Sequence, residues 1–405
     1  MSYNDFNPDK IHLHRSECPR DIDSLCSFFQ ALGIRSEFSV LRDFAAAEPR
    51  FFSLVQFLWR EAKQPFQVPQ PLHVAKTVTL SQRDCLRILA CAFFCLFTHR
   101  RRLGEYPTLN FNLLFDGHEG VLTAKLHMFT TYFLACEKRI KAGDSLDRKI
   151  SFVLCESHQT AGDWKQCTQR LRNFNMRKLQ ESIDHARGCW RVDFANQYLG
   201  GASLSQGCVQ EEIMFSICPE LNVGRLFGRV MSPHEAIAMI GAERFSSPRG
   251  YGWSLSFGGE YHDPTPVKNG RLQSYIVAMD AEDYRTKPSS FQYRQEHILR
   301  DLNKSFAGFS VPEGPSVIAT GNWGCGVFGG NPELKLLLQW MSASKANRDL
   351  AYFPFDQPTL ANQYPALIAD ILTRQLRVCD LYSFVVGIEK RRSIFDQLVD
   401  FLDQL

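Results

Sequence analysis

Long apolar runs are missing from this chain. The longest, around Leu89 to Phe97, is far short of the ~20 residues that a membrane-spanning helix needs. No stretch has the charged, apolar and small-residue order of a secretory leader, so a soluble protein is expected. Cys-x-x-Cys pairs are also absent. The thirteen cysteines, scattered from Cys18 to Cys379, support neither a disulfide framework nor a ribbon-type zinc site. Reduced, buried thiols in an intracellular compartment are the expectation. Excess charge of one sign is lacking too. The 46 basic and 43 acidic residues leave a net charge of +3, too little to mark a nucleic-acid-binding or membrane-surface protein, so any anionic ligand must be held by a local site. There are no internal repeats and no low-complexity tract. With 44% hydrophobic and 22% charged residues, the chain is neither disordered nor collagenous.

What is present fits two or three packed units in 405 residues. The 32 phenylalanines imply well-filled cores. The first 145 residues read mostly as helix: Pro49 to Arg60, Ser81 to Phe97 and Val121 to Ile140. In the second, Leu86, Leu89, Phe93 and Leu96 recur at three- and four-residue spacing behind a capping Ser81. The third has Leu122, Leu126, Phe129 and Phe133 on one face and a stop at Gly143. From Lys149 the texture changes to short apolar runs suited to strands: Ile150 to Cys155, Trp190 to Phe194, Ala236 to Gly241, Tyr275 to Met279, Val317 to Thr320 and Leu350 to Phe355. Helical segments Gln210 to Ile217, Phe291 to Phe306, Pro332 to Ser342 and Leu360 to Leu376 fall between or after them, which predicts an α/β sheet. The Ser-, Gly- and Pro-rich stretch Phe245 to Asn269 reads as a long loop. The chain ends in helix, with Lys390-Arg391-Arg392 as a solvated face.

Two places could carry chemistry. Gly321 to Gly330 holds five glycines in ten residues, between an apolar strand and a helix opened by Asn331-Pro332. Such a loop presents free backbone N–H groups and the positive end of a helix to a diphosphate, without needing basic side chains. Gly324, Gly326 and Gly329 also spell G-x-G-x-x-G, and Asp356 is the nearest acidic residue for a nicotinamide-dinucleotide site. The second place is Asn196 to Ala202, a small-residue loop after the Val192-Asp193-Phe194 strand, followed by Gln210-Glu211-Glu212. Adjacent carboxylates usually decorate a surface. Here Ile213, Met214, Phe215 and Ile217 make the surroundings apolar, a setting suited to proton transfer.

The run from Leu199 to Glu212 closely resembles the poly(ADP-ribose) glycohydrolase signature, three glycines and then, after a short spacer, Gln-Glu-Glu. Here Gly200-Gly201-Ala202 is followed by seven residues and then Gln210-Glu211-Glu212. Val192 to Asn196, Pro219-Glu220-Leu221, Gly250-Tyr251, Ala319 to Gly326 and Tyr352 to Phe355 resemble the same family, as do Leu80-Ser81-Gln82, Ala92 to Cys95 and Leu109 to Asn112. The similarity covers roughly Pro71 to Gly387. It implies a macrodomain-like mixed sheet flanked by helices, residues 146–405 with C-terminal helices, and an N-terminal helical accessory domain, residues 1–145.

The implied reaction is hydrolysis of the ribose–ribose O-glycosidic bond of poly(ADP-ribose) on modified proteins, with ADP-ribose as product. Its transition state is oxocarbenium-like and needs a proton donor for the leaving oxygen and an acceptor for the incoming water. By resemblance Glu212 is that acid and base, Glu211 orients the ribose hydroxyls, and Gln210 lies beside it. Consecutive helical residues point about 100° apart and cannot straddle a bond symmetrically, so one acid serves both transfers. Gly200 and Gly201 would let the ligand approach closely; Asn196, with Asp193 as a helper, would contact the terminal ribose. Asn322, Gly324, Cys325, Gly326 and Val327 would wrap the diphosphate, with Phe328 packed on the ribose. Tyr251 and Phe355 would flank the adenine, and Asp184 its edge. No metal or cofactor is called for, and a monomer is expected.

At the family's third glycine stands Ala202. A positive φ there would cost on the order of 1 kcal/mol, whereas an ordinary conformation would make the methyl harmless. An ADP-ribose reader without turnover is one alternative, though it would need the pocket and not the acid. A nicotinamide oxidoreductase is another, though it leaves the Glu pair unexplained. The expected compartment is nuclear, cytoplasmic or both, with His99 to Arg102 either a nuclear address or surface arginines.

Overall fold

Ser81 caps the helix Gln82–Phe93 as its place in the sequence implies. Its hydroxyl accepts from the Asp84 N–H at 3.1 Å, and the Asp84 carboxylate reaches back to the Ser81 N–H at 3.3 Å. The computed structural model describes residues 10–97, 105–117, 119–389 and 392–405. The basic stretch His99 to Arg102 and the pair Lys390-Arg391 lie outside the described residues.

The strands are β1 (Thr77–Ser81), β2 (Lys149–Glu156), β3 (Phe174–Met176), β4 (Trp190–Asp193), β5 (Glu235–Ile240), β6 (Ser246–Arg249), β7 (Ser256–Glu260), β8 (Val267–Lys268), β9 (Arg271–Leu272), β10 (Tyr275–Ala278), β11 (Val317–Gly321) and β12 (Asp349–Phe353). Eight of them form a mixed sheet in the order β1-β2-β5-β10-β4-β11-β12-β3. β1 and β2 run antiparallel, whereas β10, β4, β11, β12 and β3 pair in parallel. The expected α/β sheet flanked by helices, with a helical N-terminal part, is therefore present.

By its contacts the chain divides into two compact units. The first comprises Met1–Val153, Tyr198–Val230 and Met239–Gln273. Its helices are held by phenylalanine. Phe28 meets Trp59 and Phe94 with ring centroids 5.3 and 6.0 Å apart, and Phe93 meets Phe94 and Phe115 at 5.1 and 5.7 Å. The long helix Glu119–Lys141 buries the expected Leu122, Leu126, Phe129 and Phe133, and with them Lys125. It stops where Gly143 takes a φ of 88°, a conformation that costs glycine little.

The stretch Phe245 to Asn269 is not a plain loop. It contains the β6–β7 hairpin, and β8 pairs with β9 at its end. The hairpin register shifts between Ser246 and Pro248, and that irregularity removes the strict alternation by which a strand is recognised.

The second unit comprises Leu154–Gln197, Met231–Ala238 and Ser274–Leu405. Its helix Gln295–Phe309 starts later than Phe291 because a 3-10 turn, Ser289–Tyr293, precedes it. Helix Pro332–Lys345 opens as expected: the Asn331 side chain accepts from the Leu334 N–H at 2.9 Å, and Pro332 takes the first turn. β12 ends at Phe353, two residues before its expected end, because Pro354 has no N–H to donate and Phe355 has a φ of 51°.

Candidate active site

In the first unit, the small-residue loop and the glutamate pair form one hydrogen-bonded piece. Gly200 and Gly201 take φ values of 80° and 44°, conformations that favour glycine. Tight turns follow, with the Gly201 N–H on Tyr198 O at 2.9 Å and the Ser203 N–H on Gly200 O at 2.8 Å. Ala202 does not adopt a positive φ. Its methyl group is therefore unstrained at the position where the signature has its third glycine.

The helix Gln210–Ile217 then begins, with Glu211 and Glu212 in its first turn, where the helix dipole favours negative charge. Glu211 is 2% exposed and accepts the Gly200 N–H at 2.7 Å. Glu212 is 7% exposed, and its two oxygens accept the Ala202 and Val209 N–H groups at 3.1 Å each. Both carboxylates are thus oriented by loop backbone. Half-buried Gln210 opens the same helix.

The Tyr251 hairpin adjoins this loop, since the Gly252 N–H donates to Cys208 O at 3.0 Å. Tyr251 itself is 46% exposed. An exposed, flat aromatic surface is what base stacking requires.

Two buried cations in this unit escaped the sequence reading. The Arg225 guanidinium donates to Leu199 O and Gly201 O at 3.0 Å and to Thr108 O at 2.8 Å. Burial pulls it down to about 10, while the Glu211 and Glu212 charges act in the opposite sense. Nothing in the sequence separates this arginine from a surface one. Lys125 did leave a signal, its spacing among Leu122, Leu126 and Phe129 on an apolar face. Asn222 completes the support, accepting from Ser203 Oγ at 2.8 Å and donating to Phe215 O at 2.8 Å.

In the second unit, the other residues that the resemblance names follow the C-terminal ends of parallel strands, where open α/β sheets bind ligands. Gly321 pairs with Phe353 and Ala319 with Arg191, so β4, β11 and β12 end at one edge. Asp193 is fully buried at the end of β4, and half-buried Asn196 follows. Asn322 is locked, its Nδ2 donating to Pro354 O at 2.7 Å and its Oδ1 accepting from Tyr352 Oη at 2.9 Å.

Gly324 takes a φ of 72°, and an added Cβ would stand 2.4 Å from the Ala281 Cβ. Both constraints demand glycine. Burial pushes the Cys325 thiol up to about 12, so it stays protonated. Gly326 and Val327 are exposed; Phe328 is half-buried, with the Arg285 guanidinium 5.6 Å from its ring. Phe355 is 56% exposed. Asp184 is half-buried in the 3-10 turn Ile183–His185, whose Ile183 packs with Ala319, Ala351 and Phe353. Asp356, the acidic residue a dinucleotide site would use, is exposed beside Gln357. Among the described residues no group of three His, Cys, Asp or Glu side chains is placed to hold a metal ion.

The chain matches known sequences along most of its length. Residues 161–362 match the family description poly(ADP-ribose) glycohydrolase, macro domain fold, and residues 53–157 match the helical domain of the same family. Poly(ADP-ribose) glycohydrolase 1 of Arabidopsis thaliana is 32% identical over 82% of this chain and 73% of its own length. A probable poly(ADP-ribose) glycohydrolase 2 of the same plant is 31% identical over 78% and 70%. The Caenorhabditis elegans poly(ADP-ribose) glycohydrolase 1 is 29% identical over 81% of this chain and 43% of its own length.

Proposed function

The chain belongs to the poly(ADP-ribose) glycohydrolase family, and from that membership we infer that it hydrolyses the ribose–ribose bonds of poly(ADP-ribose) and releases ADP-ribose. The observation that carries the reading at this site is the glutamate pair. Both carboxylates are buried at a helix N-terminus; Glu211 is held by the Gly200 N–H, and Glu212 by the Ala202 N–H of the same loop and the Val209 N–H at the helix cap. An ADP-ribose reader would need the loop but not a second oriented acid.

In the proposed mechanism Glu212 gives its proton to the leaving ribose oxygen as the glycosidic bond breaks. The sugar passes through an oxocarbenium-like state, and Glu212 then takes a proton from the attacking water. Glu211, fixed on the Gly200 N–H, orients the ribose hydroxyls. Gln210 lies beside it, and Gly200 and Gly201 admit the sugar. Asn196 contacts the terminal ribose, with Asp193 as a helper.

Asn322, Gly324, Cys325, Gly326 and Val327 are assigned to the diphosphate, and the positive end of the helix Pro332–Lys345 favours such an anion. Phe328 packs on the ribose. Tyr251 and Phe355 are assigned to the adenine, which their exposed rings support, and Asp184 to its edge. The proposed division of labour is a helical accessory part, residues 1–145, and a macrodomain, residues 146–405, acting as a monomer in nucleus or cytoplasm on polymer attached to modified proteins in the DNA damage response. Among the described residues no helix is long and apolar enough to cross a membrane.

Incubating the chain with automodified, polymer-bearing protein tests the reading. Free ADP-ribose should accumulate. Polymer that is bound but left intact would make the chain a reader instead.

A further inference from the structure

Lys125 has a fully buried side chain in the middle of the helix Glu119–Lys141, on a face otherwise made of Leu122, Leu126, Met128 and Phe129. A lone ammonium in such a place is costly unless every proton finds an acceptor. It finds three. Lys125 Nζ donates to Ala202 O and Ser203 O at 3.1 Å and to Ser205 O at 2.6 Å. All three carbonyls belong to the turn that joins the signature loop to the glutamate pair.

Carbonyls gathered on one cation commit the orientation of their peptide planes. Ala202 joins the clamp to the acid through its own backbone: its carbonyl faces Lys125, and its N–H, in the adjoining peptide plane whose Gly201 carbonyl Arg225 holds, donates to Glu212 Oε1 at 3.1 Å. The lysine, the loop and the acid are therefore one connected arrangement, and the lysine comes from the helical segment.

We propose that Lys125 is a positioning residue for hydrolysis, its ammonium clamping three loop carbonyls and so fixing the chain on the C-terminal side of Ala202, the residue whose N–H holds Glu212. The assignment rests on the glycohydrolase reading and gives the helical part a role in turnover. Lys125 touches none of the reacting atoms and acts through the loop. Burial lowers its affinity for the proton, to about 8, against the opposing pull of the Glu212 and Cys208 charges; the Arg225 charge adds to the lowering. A neutral amine has two N–H donors for three carbonyls, so the clamp loosens as pH rises through that value.

The test uses the full chain, with turnover on automodified polymer, ADP-ribose affinity by calorimetry and folding by circular dichroism. Lys125→Met should lower kcat about a hundredfold, the scale of a small misplacement of a reacting group. ADP-ribose affinity should stay within about threefold. Lys125→Arg, which keeps a charge that does not titrate near neutrality, should restore most of kcat. It should also move the alkaline limb of the kcat profile upward from pH 8.

A folded Met variant with wild-type kcat overturns the proposal. If the Met variant does not fold, the Arg variant decides, and an alkaline limb unmoved from the wild type overturns it. A wild-type chain without turnover would overturn the glycohydrolase reading and this proposal together, an outcome distinct from either of the others.

Discussion

A methyl group on Gly207 would stand 2.6 Å from the Ala202 Cβ and 2.7 Å from the Glu212 Cγ, well inside the separation at which carbon atoms pack. Gly207→Ala should therefore displace the Glu212 side chain and lower turnover about a hundredfold. Steady-state ADP-ribose release, beside circular dichroism to confirm folding, checks this. Wild-type turnover would mean that the acid tolerates displacement. At this scale the sequence was unevenly legible. Gln210-Glu211-Glu212 could be read because the reactive carboxylates are contiguous and sit in apolar company. Gly207, Arg225 and Asn222 could not, because a side chain's partners across the fold leave no trace in the letters around it.

The 3-10 segment Pro219–Leu226 carries fully buried Glu220, which accepts from the Gln82 side chain at 2.8 Å and from the Glu243 N–H at 3.0 Å. Burial, with the Glu243 charge adding to it, raises Glu220 to about 8 from an ordinary 4.5. The folded state thus holds this proton more tightly than the unfolded chain. The resulting stability is complete below about pH 4.5 and is lost as pH rises through about 8. Melting temperatures measured from pH 5 to 8.5 should fall with pH, and Glu220→Gln should flatten that slope. An unchanged slope in the variant would place the titration elsewhere.

Gly324 lies in the turn that follows β11. Gly324→Ala meets both a φ of 72° and the Ala281 methyl, a strain of about 1–2 kcal/mol or more. ADP-ribose affinity should drop about tenfold, as calorimetry would register; unchanged affinity would remove the turn from the diphosphate site. Long elements were readable because caps and three-to-four spacing are local, as at Ser81 and along Glu119–Lys141. The bulged β6–β7 hairpin and three-residue β3 were not. Their existence depends on a pairing partner rather than on their own pattern.

For the molecule as a whole, the net charge of +3 sums surface and interior alike. Lys125, Lys304 and Lys335 are fully buried, so part of the basic count serves the interior and never meets solvent. The family, the mixed sheet and the helical N-terminal part were all visible in motif order. The placement of buried cations was not, since it emerges only from the folded chain.

Glu212→Ala, compared with the wild type for both ADP-ribose release and ADP-ribose affinity, tests the central claim most directly. Removing a general acid should cost roughly 10²- to 10⁴-fold in kcat, while affinity changes by no more than a few fold. Undiminished release by the variant, or an equal loss of release and affinity, would contradict the role assigned to Glu212.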